Sequence, residues 1–274
     1  MFENCKAKEL HGCSNSNLSN QTDIFVCNSN HSWEFPPEHV PLVENEVHVW
    51  RASLEAPLST IYDLQSILSE EEVRRAMQFH FEKDRLHWIV AHGILRRLLG
   101  QYLDIDPHKV RFMINAYGKP FTVYPPHGSR LQFNLSHSAD LALFAVAYDR
   151  RVGVDVEYMR ASVNCEALAQ YHFSANEYAT LLTLPAAVRQ EAFFHCWSRK
   201  EAYIKARGEG LSIPLGQFDV SLAPGEPAAL LESRENPQAM EQWSLRALAP
   251  GGRYAGAVVV EGTGWQLSCW QWPG

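Results

Sequence analysis

The chain has no apolar run long enough to cross a membrane; its longest uncharged one, Leu141 to Tyr148, is strand-sized. Behind the opening MFENCKAKEL, where Glu3 and Glu9 stand among the lysines, there is no apolar stretch, so no secretory leader is expected. The six cysteines, Cys5, Cys13, Cys27, Cys165, Cys196 and Cys269, contain no C-x-x-C pair and no metal-ligand spacing. That pattern fits reduced thiols in a cytoplasmic protein and argues against a disulfide framework or a thiolate metal centre. Positive charge is also short: 24 Lys and Arg stand against 31 Asp and Glu, a net charge of −7. A non-specific nucleic-acid binder or a basic membrane-surface protein is therefore not expected, although a local basic patch remains open. With 274 residues, 46% of them hydrophobic, the chain can bury one large core or two modest ones.

Residues 3–32 hold six Asn and five Ser. A tract this polar buries too little apolar surface to offset its ordering entropy, so residues 1–46 are expected to form a flexible tail, with packing beginning at Val47. The alternation Val47-His48-Val49-Trp50 predicts an edge strand. Ser69 followed by Glu72 predicts a capping box, and Leu86, Ile89, Val90, Ile94 and Leu98 predict an amphipathic helix ended at Gly100. Arg74, Arg75, Lys83, Arg85, Arg96 and Arg97 lie around these segments, mostly as a solvated face, with one or two able to hold a phosphate. Alternation at Leu131, Phe133 and Leu135, the run Leu141–Tyr148 and the stretch Val152–Val156 predict an antiparallel hairpin. A long helix is expected from Glu191 to Arg207, stopped by Gly208, and strands near residues 218–220, 254–260 and 265–270. Strands and helices grouped this way indicate an α+β fold, and two faintly similar halves, 47–150 and 151–274, are expected.

Four short segments carry chemistry. In Gly153-Val154-Asp155-Val156-Glu157 a strand would put Asp155 and Glu157 on one face and Val154 and Val156 on the other, in a core. Paired carboxylates call for a cation between them, or form an ordinary acidic face. In Trp197-Ser198-Arg199-Lys200-Glu201-Ala202-Tyr203-Ile204-Lys205, helical spacing puts Glu201 and Lys205 one turn apart. They are either a surface ion pair or a third metal carboxylate with an ammonium for a phosphate. Phe133-Asn134-Leu135-Ser136-His137-Ser138 ends a strand in a polar cluster that could meet a phosphate or cap a turn. Tyr117-Gly118-Lys119-Pro120 presents a lysine on a turn.

In this order and spacing the four segments resemble the Sfp-type 4'-phosphopantetheinyl transferases, from about Val47 to Trp270, and the N-terminal half resembles cyanobacterial members. The resemblance implies two similar α+β halves related by a pseudo-twofold axis, with coenzyme A in the cleft between them. It implies Mg²⁺ on Asp155, Glu157 and Glu201. Glu201 is implied as the base or its positioner, and Lys205 as a phosphate contact that helps the leaving group. Ser136 and His137 are implied as a phosphate-binding pair, Lys119 and Pro120 as lying beside the adenine, and Arg75 as near the 3'-phosphate. The implied activity is transfer of 4'-phosphopantetheine from coenzyme A to a serine of an apo acyl or peptidyl carrier protein, releasing 3',5'-adenosine bisphosphate. A monomer without nucleic-acid or membrane partners is expected. Two alternatives use the same residues differently: a Mg-dependent nucleotide pyrophosphohydrolase acting on coenzyme A, and a non-catalytic carrier-binding module. The module would be expected to have lost one of these acids, and all are present.

Overall fold

A computed structural model describes residues 32–38, 40–123 and 130–274. Strand β1 (Glu46–Ser53) leads into helices α1 (Leu58–Ser66), α2 (Glu70–Ala76) and α3 (Glu82–Leu103). A small hairpin, β2 (Phe112–Ile114) and β3 (Pro120–Thr122), precedes β4 (Leu131–Ser138), β5 (Leu141–Tyr148) and β6 (Val152–Tyr158). Helices α4 (Cys165–His172), α5 (Ala175–Thr183) and α6 (Ala186–Arg207) follow. The chain closes with β7 (Phe218–Val220), β8 (Leu230–Ser233), α7 (Ala239–Gln242), β9 (Trp243–Leu248), β10 (Tyr254–Glu261) and β11 (Gln266–Gln271).

Two main sheets, ordered β11-β1-β5-β4 and β6-β10-β9, make an α+β fold. They pack against each other through Val47, Val49, Leu143 and Ala145 of one and Val152, Val154, Val156 and Val258 of the other. Their outer faces are covered by helices: Trp50, Ala52, Phe144 and Val146 meet α1 and α3, while Ala255, Ala257 and Val259 meet α6. Burial on both faces explains why β5 reads as a continuous apolar run rather than an alternation.

The strand at Val47 is not an edge: β1 pairs with β11 on one side, in parallel, and with β5 on the other. Its second neighbour comes from the far end of the chain, which local alternation does not register. The antiparallel hairpin is β4–β5, and β6 leaves it to pair with β10 in the second sheet. The Ser69–Glu72 capping box forms, with both reciprocal bonds present. Helix α3 runs through Gly100 to a left-handed cap at Asp104. Gly100 instead lets the helix approach the following chain, since a Cβ there would lie 2.9 Å from the Ile105 carbonyl oxygen. Arg96 is not solvated; it is buried on Glu72 and on the carbonyls of Pro107 and Val110.

Packing also begins before Val47. Trp33 donates from Nε1 to the Ala249 carbonyl, Glu34 bridges to Trp270, and Val40 and Leu42 are buried. These apolar side chains set residues 32–46 apart from the Asn/Ser tract that shaped the tail expectation. The remainder of that expectation, residues 1–31, lies outside the described residues.

Candidate active site

Strand β6 alternates as its sequence demands. Val154 and Val156 enter the core between the sheets, while Gly153, Asp155 and Glu157 face the other way. Helix α6 lies directly on that second face. A Cβ at Gly153 would stand 2.2 Å from the Ala202 carbonyl oxygen and 2.3 Å from the Ala206 nitrogen, so only glycine admits the helix at this distance. The close approach brings Lys205 onto Asp155: its Nζ is 2.7 Å from Oδ1 and 2.9 Å from the Ser136 hydroxyl oxygen. Ser136 Oγ in turn donates to Asp155 Oδ1 at 2.8 Å. Asp155 is fully buried, and its second oxygen, Oδ2, has no hydrogen-bond partner. A buried carboxylate oxygen without a partner is costly, and so marks a place where a further positive or donating group would be stabilised.

The other acids lie close by in the fold. Glu157 is buried and accepts from the Ser138 hydroxyl at 3.1 Å. Glu201 is buried on α6 one turn before Lys205. Among the described residues, no three His, Cys, Asp or Glu side chains are gathered into a metal-holding cluster.

Strands β4 and β6 run side by side in parallel without belonging to one backbone ladder. Polar side chains stand in for the missing carbonyls. The Val154 amide donates to Asn134 Oδ1 at 2.8 Å, the Val156 amide to Ser136 Oγ at 3.4 Å, and the Tyr158 amide to Ser138 Oγ at 3.1 Å. The N-x-S-H-S segment is thus the seam between the two sheets, not a cap on its own turn. Its alternation turns His137 to the opposite side, where it helps to lower the pKa of His87, whose main perturbation is burial.

Lys119 and Pro120 lie at a cleft of about 130 Å³ whose walls include Asn115, Phe121, Arg151 and Arg207. The Lys119 ammonium is turned onto protein carbonyls: Lys205 at 2.7 Å, Val152 at 2.9 Å and Ala206 at 3.4 Å. Burial, with Arg151 nearby, lowers its pKa to about 8. Arg75 is exposed on α2, which packs on α3.

Two groups escaped the sequence reading. Asn134 and Ser138 were visible in the motif, but their bonds to amides twenty residues onward depend on tertiary structure. Lys200, inside the helix motif, is fully buried; it pairs with Glu177 at 2.7 Å and donates to the Leu215 and Phe218 carbonyls. It fastens α6 to α5 and to the start of β7.

Residues 151–259 match the 4'-phosphopantetheinyl transferase superfamily, and residues 50–148 match the N-terminal region of 4'-phosphopantetheinyl transferases. The chain is 40% identical to the 4'-phosphopantetheinyl transferase HetI of the cyanobacterium Nostoc sp. over 242 residues, covering 88% of this chain and 99% of that protein. It is 33% identical to the transferase psf-1 of Bacillus pumilus over 68% of this chain and 77% of the relative. With the transferase Sfp of Bacillus subtilis it shares 31% identity over 57% of this chain and 67% of that one. The chain belongs to the Sfp-type 4'-phosphopantetheinyl transferases, enzymes that transfer 4'-phosphopantetheine to carrier proteins.

Proposed function

We propose that the donor is coenzyme A, that the acceptor is a serine of an apo acyl or peptidyl carrier protein, that Mg²⁺ is required, and that 3',5'-adenosine bisphosphate leaves. The observation that carries this reading is the orphaned Oδ2 of the fully buried Asp155 carboxylate, whose other oxygen already accepts from Lys205 and Ser136. Hard oxygen donors of this kind suit Mg²⁺, with Asp155, Glu157 and Glu201 as the holding residues. When bound, the ion would offset the charge of a pyrophosphate.

The chain's own residues do the rest. Glu201 takes the serine proton, directly or by orienting the group that does. Lys205, which already contacts Asp155, meets an arriving phosphate and neutralises charge on the leaving group. Ser136 keeps Asp155 oriented, while His137 and Arg75 offer donors to phosphates from β4 and α2. Lys119 and Pro120 wall the cleft beside the nucleotide.

The same reading places the ligand between two halves, 47–150 and 151–274, related by a pseudo-twofold axis. The repeated strand order supports it. In each half the first strand pairs antiparallel with the third, and the third with the second: β1-β5-β4 and β6-β10-β9. Each half also carries a 22-residue helix, α3 or α6, between its first and second strands. Strand β11 extends the first sheet from the end of the second half.

The test is incubation with coenzyme A, Mg²⁺ and a panel of apo carriers, read by intact mass. One phosphopantetheinyl group should be gained, and the gain should vanish with chelator and in Asp155→Asn. Cleavage of coenzyme A at equal rate without any carrier would favour the pyrophosphohydrolase instead.

A further inference from the structure

The C-terminal end of α6 poses an accounting problem. The last four carbonyls of a helix have no partner within it and lie at the negative end of its dipole. Gly208, in the left-handed conformation at φ 74°, satisfies the first of them, donating its amide to the Ile204 carbonyl. The next two, of Lys205 and Ala206, accept from the Lys119 ammonium at 2.7 and 3.4 Å. The carbonyl of Gly208 itself accepts from the Asn115 side-chain amide at 2.8 Å. Both donors come from the turn between β2 and β3, 86 and 93 residues earlier in the chain. That turn is itself braced, because Asn115 Oδ1 accepts from the amides of Tyr117 and Lys119. Gly208 also makes room for it: a Cβ there would lie 3.0 Å from Lys119 Cδ.

We infer that Lys119 and Asn115 form a clasp, supplied by the first half of the chain, that caps α6 and so sets where Lys205 stands over Asp155. One of the clasped carbonyls is that of Lys205 itself, so the clasp fixes the backbone from which the Lys205 side chain departs. Lys119 is then a positioning residue that acts through Lys205, in addition to walling the cleft. The third carbonyl on its ammonium, that of Val152, belongs to the strand that carries Asp155. The same cation therefore bonds both the helix that carries Lys205 and the strand that carries Asp155.

The inference rests on the proposed role of Lys205 in transfer, and a double-mutant cycle separates the two. Transfer is measured at saturating coenzyme A for Lys119→Met, Lys205→Ala and the double variant. A charge-assisted bond is worth about ten- to a hundredfold, and each single change should cost within that range. If Lys119 acts through Lys205, the double variant is no slower than Lys205→Ala alone. Losses that multiply overturn the clasp while leaving the role of Lys205 intact, because a direct substrate contact or a general loss of folded protein would persist without Lys205. Unchanged transfer in Lys119→Met also overturns the clasp. Unchanged transfer in Lys205→Ala refutes the site reading itself, and the inference with it. If Lys119→Met fails to fold, Asn115→Ala loosens the same end of the helix, with amide hydrogen exchange as the readout. Exchange at residues 204–208 should quicken by about tenfold, together with slower transfer; exchange unchanged from the wild type would overturn the clasp.

Discussion

Gly153→Ala is the smallest change that tests how the site is assembled. A single methyl group would sit 2.2 Å from the Ala202 carbonyl oxygen, 2.3 Å from the Ala206 nitrogen and 2.8 Å from the Ala206 Cα. All three are backbone atoms of a 22-residue helix, so no side chain can rotate away. Ordinary contact needs about 3.5 Å, so α6 must retreat from β6 by more than about 1 Å. Overpacking typically costs about 1–3 kcal/mol, and a rigid obstacle puts this case at the top of that range. The retreat also stretches the 2.7 Å contact from Lys205 to the fully buried Asp155 carboxylate, and a buried charge left without its partner is itself destabilising. A loss of about 3 kcal/mol in a chain of this size lowers the melting temperature by roughly 6–12 °C. Transfer should fall with it, even at temperatures where the variant is folded. Gly216→Ala is the control: its nearest neighbour would be the Phe173 carbonyl oxygen at 3.7 Å, an ordinary contact. Thermal unfolding and intact-mass transfer assays on both variants decide the matter. A Gly153→Ala protein melting within about 2 °C of wild type, with undiminished transfer, would refute the argument that this glycine sets the distance between helix and strand.

Lys200→Met leaves Glu177 buried without its cation and should cost about 3–5 kcal/mol in denaturant unfolding, yet transfer per folded molecule should survive. Lys205→Met should slow transfer and also destabilise, because it leaves the fully buried Asp155 without its cation. His195 is held at a pKa of about 4 by burial and by Arg199, with Glu191 3.8 Å away. The unfolded chain therefore binds more protons between pH 6.5 and 4. The contribution to stability is complete above pH 6.5 and is lost as pH falls from 6.5 through 4, on the order of 3 kcal/mol. His195→Gln should flatten the pH dependence of unfolding over that window, and an unaltered slope would show that another group is responsible. Removing residues 1–45 exposes the surface that Val40 and Leu42 cover and deletes the Trp33 bond to Ala249. It should destabilise by several kcal/mol, at about 1.5–3 kcal/mol per buried side chain, whereas removing residues 1–31 leaves those contacts in place.

Local signals in the sequence survived into the structure wherever their cause was local. The Ser69 capping box, the Gly208 stop and the face shared by Asp155 and Glu157 all follow from spacings of one to four residues. What was not legible depends on partners far along the chain. The strand at Val47 looks half-exposed because alternation says nothing of β11, more than two hundred residues later, which pairs with it. Gly100 looked like a helix stop because its second use, close approach to Ile105 and Pro107, has the same residue requirement. Trp33, Val40 and Leu42 were masked by the polar residues that precede them.

The helix motif shows why a chemical motif cannot be read as chemistry alone. Between Trp197 and Lys205 four charged residues are spaced so that the helix divides them between two directions. Arg199 donates to the Ser221 carbonyl and hydroxyl, and Lys200 reaches Glu177, Leu215 and Phe218. Those contacts anchor α6 to the outer part of its own half. Lys205 faces β6 and the seam where Asn134, Ser136 and Ser138 join the two sheets. A cation whose hydrogen bonds all go to carbonyls and a buried carboxylate has no donor left for a phosphate, whereas one at the seam between two sheets can exchange partners when a ligand arrives. Position relative to that seam, more than residue type, therefore separates the lysine that holds the fold from the lysine that serves the reaction.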